Sequence, residues 1–270
     1  MNELDHNIVK SNALIEAAYQ PGSLNKMRLL LAAISQIRST KPLDHRQEFT
    51  ITAGALSELI GTTKSVNYKM LKRAADELME MIVSVEVYPN GYPGRRIQRK
   101  MNVVDACNYI KDEGCVKLTF TPSITPYISA LTSHFTRYKA RYALRMRSSY
   151  GIRLYELCMQ WVPFGNEREF SVDEIRDLFA LGDKYPTMRS LKARVINPAI
   201  RDVNTHTDLH ITFGQRKAGR RITHFQFIIT RQTPQWEQAS TQKKAKPQQP
   251  EILPHPAVME AMEKARNEGD

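Results

Sequence analysis

The chain has 270 residues, enough for two domains of ordinary size, each with its own core. Its 39 lysines and arginines outnumber 28 acids, and the net charge of +11 favours a polyanionic partner, nucleic acid ahead of a membrane surface. No apolar run reaches the roughly 18 residues of a membrane span, MNELDHNIVK has no signal-peptide pattern, and Cys107, Cys115 and Cys158 lack CxxC or zinc spacing; a cytoplasmic protein with reduced thiols and no membrane, metal or cofactor is expected.

In chain order, LNKMRLLLAAISQIR (24–38) predicts an amphipathic helix capped by Ser23, with Leu24, Met27, Leu31, Ile34 and Ile37 apolar. FTITAGALSELIG (49–61) alternates briefly and then turns helical, stopping at Gly61. A second helix is predicted from Thr63 to about Ile82, with Leu71, Ala74, Ala75, Leu78, Met81 and Ile82 on its apolar side. Ser65, Lys69, Lys72, Arg73, Asp76 and Glu80 form the opposite stripe. VSVEVYP, the turn PNGYPG and runs at about 97–110 and 115–121 predict a hairpin sheet. The stretch from Val103 to Phe120 reads as an exposed sheet edge, with Val116 on the pairing surface.

The same order returns further on. A long helix is expected over roughly 136–161, and REFSVDEIRDLFALG (168–182) then repeats the shape of FTITAGALSELIG at an offset of 119 to 121 residues. Phe170, Val172, Leu178, Phe179 and Gly182 answer Phe49, Ile51, Leu59, Ile60 and Gly61. LHITFGQRKAGRRITHFQFII supplies a hairpin whose turn carries Arg216, Lys217, Arg220 and Arg221. The predicted fold is therefore α+β, two tandem winged-helix (winged helix-turn-helix) domains at 1–130 and 131–232. A flexible polar tail is expected over 233–270, with a short helix from Pro256 to Arg266.

YPTMRSLKARVINPAIRDVN (185–204) places cations in the first half of a helix, where the helix dipole disfavours them. Met188, Leu191, Val195, Ile196, Ala199 and Val203 cover one side, while Ser190, Arg194, Asn197 and Arg201 run up the other; Arg189 and Lys192 flank the boundary. The second helix of a helix-turn-helix enters the major groove N-terminal half first, so cations there meet phosphates and guanine edges. No acid occurs over 114–155 or 184–201, whereas solvated faces mix signs. Pro198 predicts a bend. In the first domain only the first two turns, Ser65, Lys69, Lys72 and Arg73, are suited to the DNA backbone, since Asp76 and Glu80 follow.

VKSNALIEAAY, HFTRY, SSYGIRLYELCMQW, LKARVINPAIRDVNTHTDLHITF and KAGRRITHFQF together resemble the iteron-binding plasmid replication initiators, the superfamily of the F-plasmid initiator, over about residues 8–231. The resemblance implies binding to direct repeats at a replication origin, mainly by the C-terminal domain. It implies recruitment of the host replication initiator and helicase, and a monomer–dimer equilibrium whose dimers bind an inverted operator and repress the protein's own gene. Gly151 stands where the family often has alanine, and RYKARYALRMR is more basic than the family pattern.

No catalysis is expected. A rolling-circle nickase needs a His-hydrophobic-His metal pair and a tyrosine nucleophile, which His206 and His210 in HTDLH do not supply, and no GxxxxGK[ST] loop is present. A dedicated winged-helix repressor is the alternative; direct repeats beside the gene favour an initiator and a lone palindrome a repressor.

Overall fold

In the computed structural model, residues 7–60, 68–87 and 97–238 are described. Gly61, Ser65, the PNGYPG turn and the helix expected from Pro256 to Arg266 lie outside them.

Each half is built on one plan. In the first, after a short α1 (Asn12–Ile15), α2 (Leu24–Ser35) leads to strand β2 (Phe49–Thr52), α3 (Ala53–Ile60) and α4 (Tyr68–Met79). In the second, α6 (Ser149–Trp161) leads to β8 (Glu167–Ser171), α7 (Val172–Leu178) and a helix that starts at Met188. Each first strand joins a hairpin in the same sheet order, β2–β6–β5 and β8–β10–β9, where β5 is Val104–Ile110, β6 Cys115–Phe120, β9 Leu209–Ala218 and β10 Arg221–Arg231. The correspondence reaches single side chains. Phe49 meets Phe120 edge-on at 5.3 Å and Phe170 meets Phe227 edge-on at 6.1 Å, each partner two residues beyond its register mate, Leu118 or Phe225. Thr52 caps α3 by accepting the Ala55 N–H, and Ser171 caps α7 in a capping box with Glu174. The two winged helices and the repeat offset expected from the sequence are present.

Between α4 and β5 the first half carries an extra hairpin, β3 (Ile82–Val87) with β4 (Ile97–Asn102). The run at 97–110 is thus two strands in different sheets, parted at Val103. Ile82 opens β3 and is 53 % exposed, so it does not belong to the apolar side of α4. Helix α2 is not amphipathic in the expected sense, since nine of its twelve residues are buried among β1 (Asn7–Ser11), β2, α4, α5 (Ala140–Arg145) and α6.

The long helix expected over 136–161 is replaced by three elements. Phe135–Lys139 forms β7, whose alternation buries Thr136 and Tyr138 and which pairs antiparallel with β1 (Asn7–Ser11), Ile8 opposite Tyr138. Then α5 (Ala140–Arg145) ends at Met146, whose extended backbone breaks the helix, and Ser148 caps α6 by accepting the Gly151 N–H at 3.1 Å. Helix α6 is buried along most of its length. Val116 is also a correction: it is fully buried on β6, the middle strand of its sheet, so it presents no pairing surface. Within the run from Val103 to Phe120 the strand at an edge is β5, whose Asp105, Ala106, Asn108 and Tyr109 are exposed.

Candidate nucleic-acid interface

The reading helix of the second half runs from Met188 to His206 as α8 (Met188–Leu191), a π-helical turn (Lys192–Ile196) and α9 (Asn197–His206). Its buried stripe is Leu191, Val195, Ala199 and Val203, four residues apart and each at most 1 % exposed. Twelve residues at 3.6 per turn overshoot three turns by about a third of a turn, so in a regular helix the four would fan over about 120° instead of lying in line. The π-turn inserts one residue, the Asn197 N–H bonding the Lys192 carbonyl, and restores the alignment. Pro198 follows at once. It has no N–H to donate and would press on the Arg194 carbonyl in a regular turn, so the bend expected there takes this wider form.

Arg189, Arg194, Asn197 and Arg201 are exposed on the opposite side, and Lys192 is half-buried at its margin. Ser190, at the start of that side, is half-buried. Its hydroxyl accepts the Thr187 N–H at 3.2 Å while the Thr187 hydroxyl accepts its own N–H at 3.1 Å, a reciprocal cap that starts the helix.

In the hairpin the turn is only Gly219 and Arg220, with Gly219 at φ +60°, the sign a tight two-residue hairpin turn needs at its first position. Arg220 stands at the tip, Arg221 opens β10, and Lys217 is exposed on β9. Arg216 is further back on β9 and forms a bidentate pair with Glu169 of β8 at 2.9 and 2.7 Å. That hydrogen-bonded guanidinium holds the Glu169 carboxyl below its usual range. Arg216 therefore carries a neutralised charge, unlike Lys217. A surface cleft of about 450 Å³ joins the start of α8 to the hairpin tip, with Met188 and Leu191 on one wall and Arg220 and Arg221 on the other.

On α4, Lys69, Lys72 and Arg73 are exposed. Lys72 lies over the Tyr109 ring at 5.3 Å, Arg73 reaches Glu77 at 3.3 Å, and Asp76 accepts from the Tyr109 hydroxyl at 2.8 Å. His206 packs its Nδ1 2.9 Å from Asp202, and His210 is exposed on β9.

Two residues of this interface escape a reading of the sequence. Arg176 of α7 donates to the carbonyls of Gly182, Lys184 and Tyr185 at 2.5, 2.9 and 3.0 Å, fixing the loop that delivers the reading helix and in which Tyr185 has φ +56°. Asp202 faces inward and accepts the backbone N–H groups of Arg147 and Ser148 at the bend before α6. Arg176 has no sequence signal. For the π-turn, the strict four-residue spacing of the apolar stripe was one.

An exposed cationic helix as the second helix of a helix-turn-helix, with a basic hairpin tip beside it, in a chain that repeats the same plan, defines a winged-helix DNA-binding protein with two winged-helix domains. The family model described as initiator replication protein, WH1, matches residues 7–159 and that described as initiator Rep protein, WH2, matches 171–229. The chain belongs to the initiator replication protein family. It is 27 % identical to the PI protein of Escherichia coli over 259 residues, covering 84 % of this chain and 81 % of that one. It is 22 % identical to a replication initiation protein of Escherichia coli over 232 residues, covering 83 % and 70 %. The crystal structure of the Pi initiator protein in complex with iteron DNA superposes with a TM-score of 0.70 at 25 % identity, covering 85 % of this chain and 98 % of that one.

Proposed function

We propose that this chain initiates plasmid replication by binding direct repeats at the origin as a monomer. Helix α8–α9 reads bases in a major groove through Arg194, Asn197 and Arg201, while Arg189 and Lys192 take flanking phosphates. Lys217, Arg220 and Arg221 grip the backbone beside the groove, with Arg216 contributing less because Glu169 already neutralises it. In the first half Lys69, Lys72 and Arg73 position the protein on the backbone, and Ser65 is assigned to the same stripe from sequence alone. The observation that carries this reading is the two-sided helix, an apolar stripe locked inward and arginines outward, in a chain whose two halves superpose together on a DNA-bound relative.

Domain roles follow, with residues 1–130 positioning and dimerising, 131–232 reading sequence, and 233–270 dispensable for repeat binding. The exposed edge of β5 is assigned to self-association, in which a dimer binds an inverted operator and represses the gene. The host replication initiator and helicase are the further partners, and the bacterial cytoplasm is the setting. Among the described residues no helix is long and apolar enough to cross a membrane.

Footprinting the purified chain on the DNA flanking its gene tests the proposal. Protection of several direct repeats, each by one chain, is expected. Protection of a lone palindrome with no repeats would identify a dedicated repressor instead.

A further inference from the structure

The bend between α5 and α6 is gripped from both halves of the chain. From α2, the Arg28 guanidinium donates to the carbonyls of Leu144 at 3.0 Å and Met146 at 2.8 Å. From the reading helix, the Asp202 carboxylate accepts the N–H groups of Arg147 at 2.9 Å and Ser148 at 2.8 Å. The four bonds satisfy the last carbonyls of one helix and the first donors of the next, the groups that a helix break leaves unpaired. Asp202 is 7 % exposed, so this is a buried tie, and burial brings the Arg28 pKa down to about 10 although Asp202 opposes the shift. Gly151 completes the arrangement. A Cβ there would stand 2.8 Å from Asp202 Oδ2 and 2.9 Å from Met146 Cε, so an alanine would have to displace the Asp202 carboxylate and the Met146 methyl from their present positions. This accounts for glycine at a position where the resemblance leads one to expect alanine.

Other ties between the halves fall on different elements: Arg153 of α6 donates to the Ile15 and Ala17 carbonyls, both at 2.9 Å, and Arg168 of β8 reaches Glu16 at 3.4 Å. Asp202 is on the reading helix itself, one residue from the outward-facing Arg201. We propose that Asp202 is a positioning residue for DNA binding: with Gly151 and Arg28 it sets the angle between the reading helix and the first winged helix, so that both engage one repeat together. The inference rests on the assignment of α8–α9 as the base reader. When two linked modules are held in register the second binds at high effective concentration, and loss of that register removes its contribution without touching its contacts.

The test uses the full chain, its Asp202→Ala and Gly151→Ala variants, and three duplexes: the intact repeat, and repeats scrambled under either of the two blocks that the wild type protects. Gly151→Ala raises intrinsic helix propensity in α6 and keeps the test sound if Asp202→Ala fails to fold. For the wild type, scrambling either block should weaken binding by about tenfold or more. For both variants, scrambling the block under the first domain should matter by less than about threefold, while the block under α8–α9 keeps its full effect. Wild-type sensitivity to both blocks in a folded Gly151→Ala chain would overturn the proposal. So would loss of sensitivity to the α8–α9 block, which would make Asp202 part of the reader's own integrity. If the wild type is indifferent to the α8–α9 block, the reader assignment itself falls and the joint falls with it.

Discussion

Lys10 Nζ stands 2.6 Å from Glu156 Oε1 with both side chains sealed from solvent, joining strand β1 to the middle of α6 across 146 residues of chain. Glu156 also accepts from the Tyr138 hydroxyl and, at 3.4 Å, from Arg153, whose guanidinium covers the Tyr19 ring and donates to the carbonyls of Ile15 and Ala17. A buried pair is not by itself a source of stability, but removing one member strands the other charge. Lys10→Met should therefore cost about 3 to 5 kcal/mol in urea unfolding. The double variant Lys10→Met, Glu156→Gln should cost less than the two single changes added together. Additive losses would show that the two residues do not act as a pair.

Acid should act through the same carboxylate. Burial pushes Glu156 upward, but Lys10 and Arg153 together hold it below the ordinary carboxylate range. The unfolded chain, with Glu near its ordinary value of about 4.3, then takes up the proton first. The stabilisation is complete above that value and is lost as pH falls through the lower folded one. Thermal midpoints measured from about pH 5 downward should fall more steeply for the wild type than for Glu156→Gln. Parallel slopes would place the acid sensitivity elsewhere.

The repeat of two winged helices was legible because it is written in local signals: alternation followed by a capped helix, with the same phenylalanine in each copy, Phe49 and Phe170. The inward and outward faces of the reading helix were legible as periodicity at Leu191, Val195 and Val203. What was hidden depends on distant partners. FTRYK carries only five residues of alternation and becomes a strand because β1, some 130 residues earlier, offers it an edge. Val116 and the residues of β5 have similar sequence character, and only the sheet order puts one in the centre and the others at the rim. Asp202 looks like a charge on the polar side until its acceptors are seen to face Arg147 and Ser148.

Arg194→Ala should abolish the preference for the cognate repeat over scrambled DNA, because a bidentate contact to a base carries roughly 1 to 3 kcal/mol of discrimination. Lys217→Ala should weaken both equally and reduce the slope of log affinity against log salt by about one. Arg216→Ala should change that slope less than Lys217→Ala, since Glu169 already occupies its guanidinium. Titrations at several salt concentrations separate the three, and an unchanged specificity ratio for Arg194→Ala would remove α8–α9 as the reader.

The last expectation concerns self-association. Strand β5 pairs with β6 on one side and with no other strand among the described residues, and Asp105, Ala106, Asn108 and Tyr109 are exposed along it. An unpaired edge offers backbone donors and acceptors to an identical edge, and two copies meeting antiparallel satisfy both under one two-fold axis. A lysine on such an edge opposes pairing because it must be brought against its own symmetry mate. Ala106→Lys should therefore raise the monomer fraction in sedimentation, weaken binding to an inverted operator, and preserve binding to a single repeat. Its far-ultraviolet circular dichroism should match the wild type, because Ala106 touches solvent rather than core. Val116→Asp is the contrasting variant: it places a carboxylate at a fully buried site and should unfold the first domain instead of dissociating a dimer. If Ala106→Lys sediments as the wild type does at every concentration, the β5 edge is not the contact between copies.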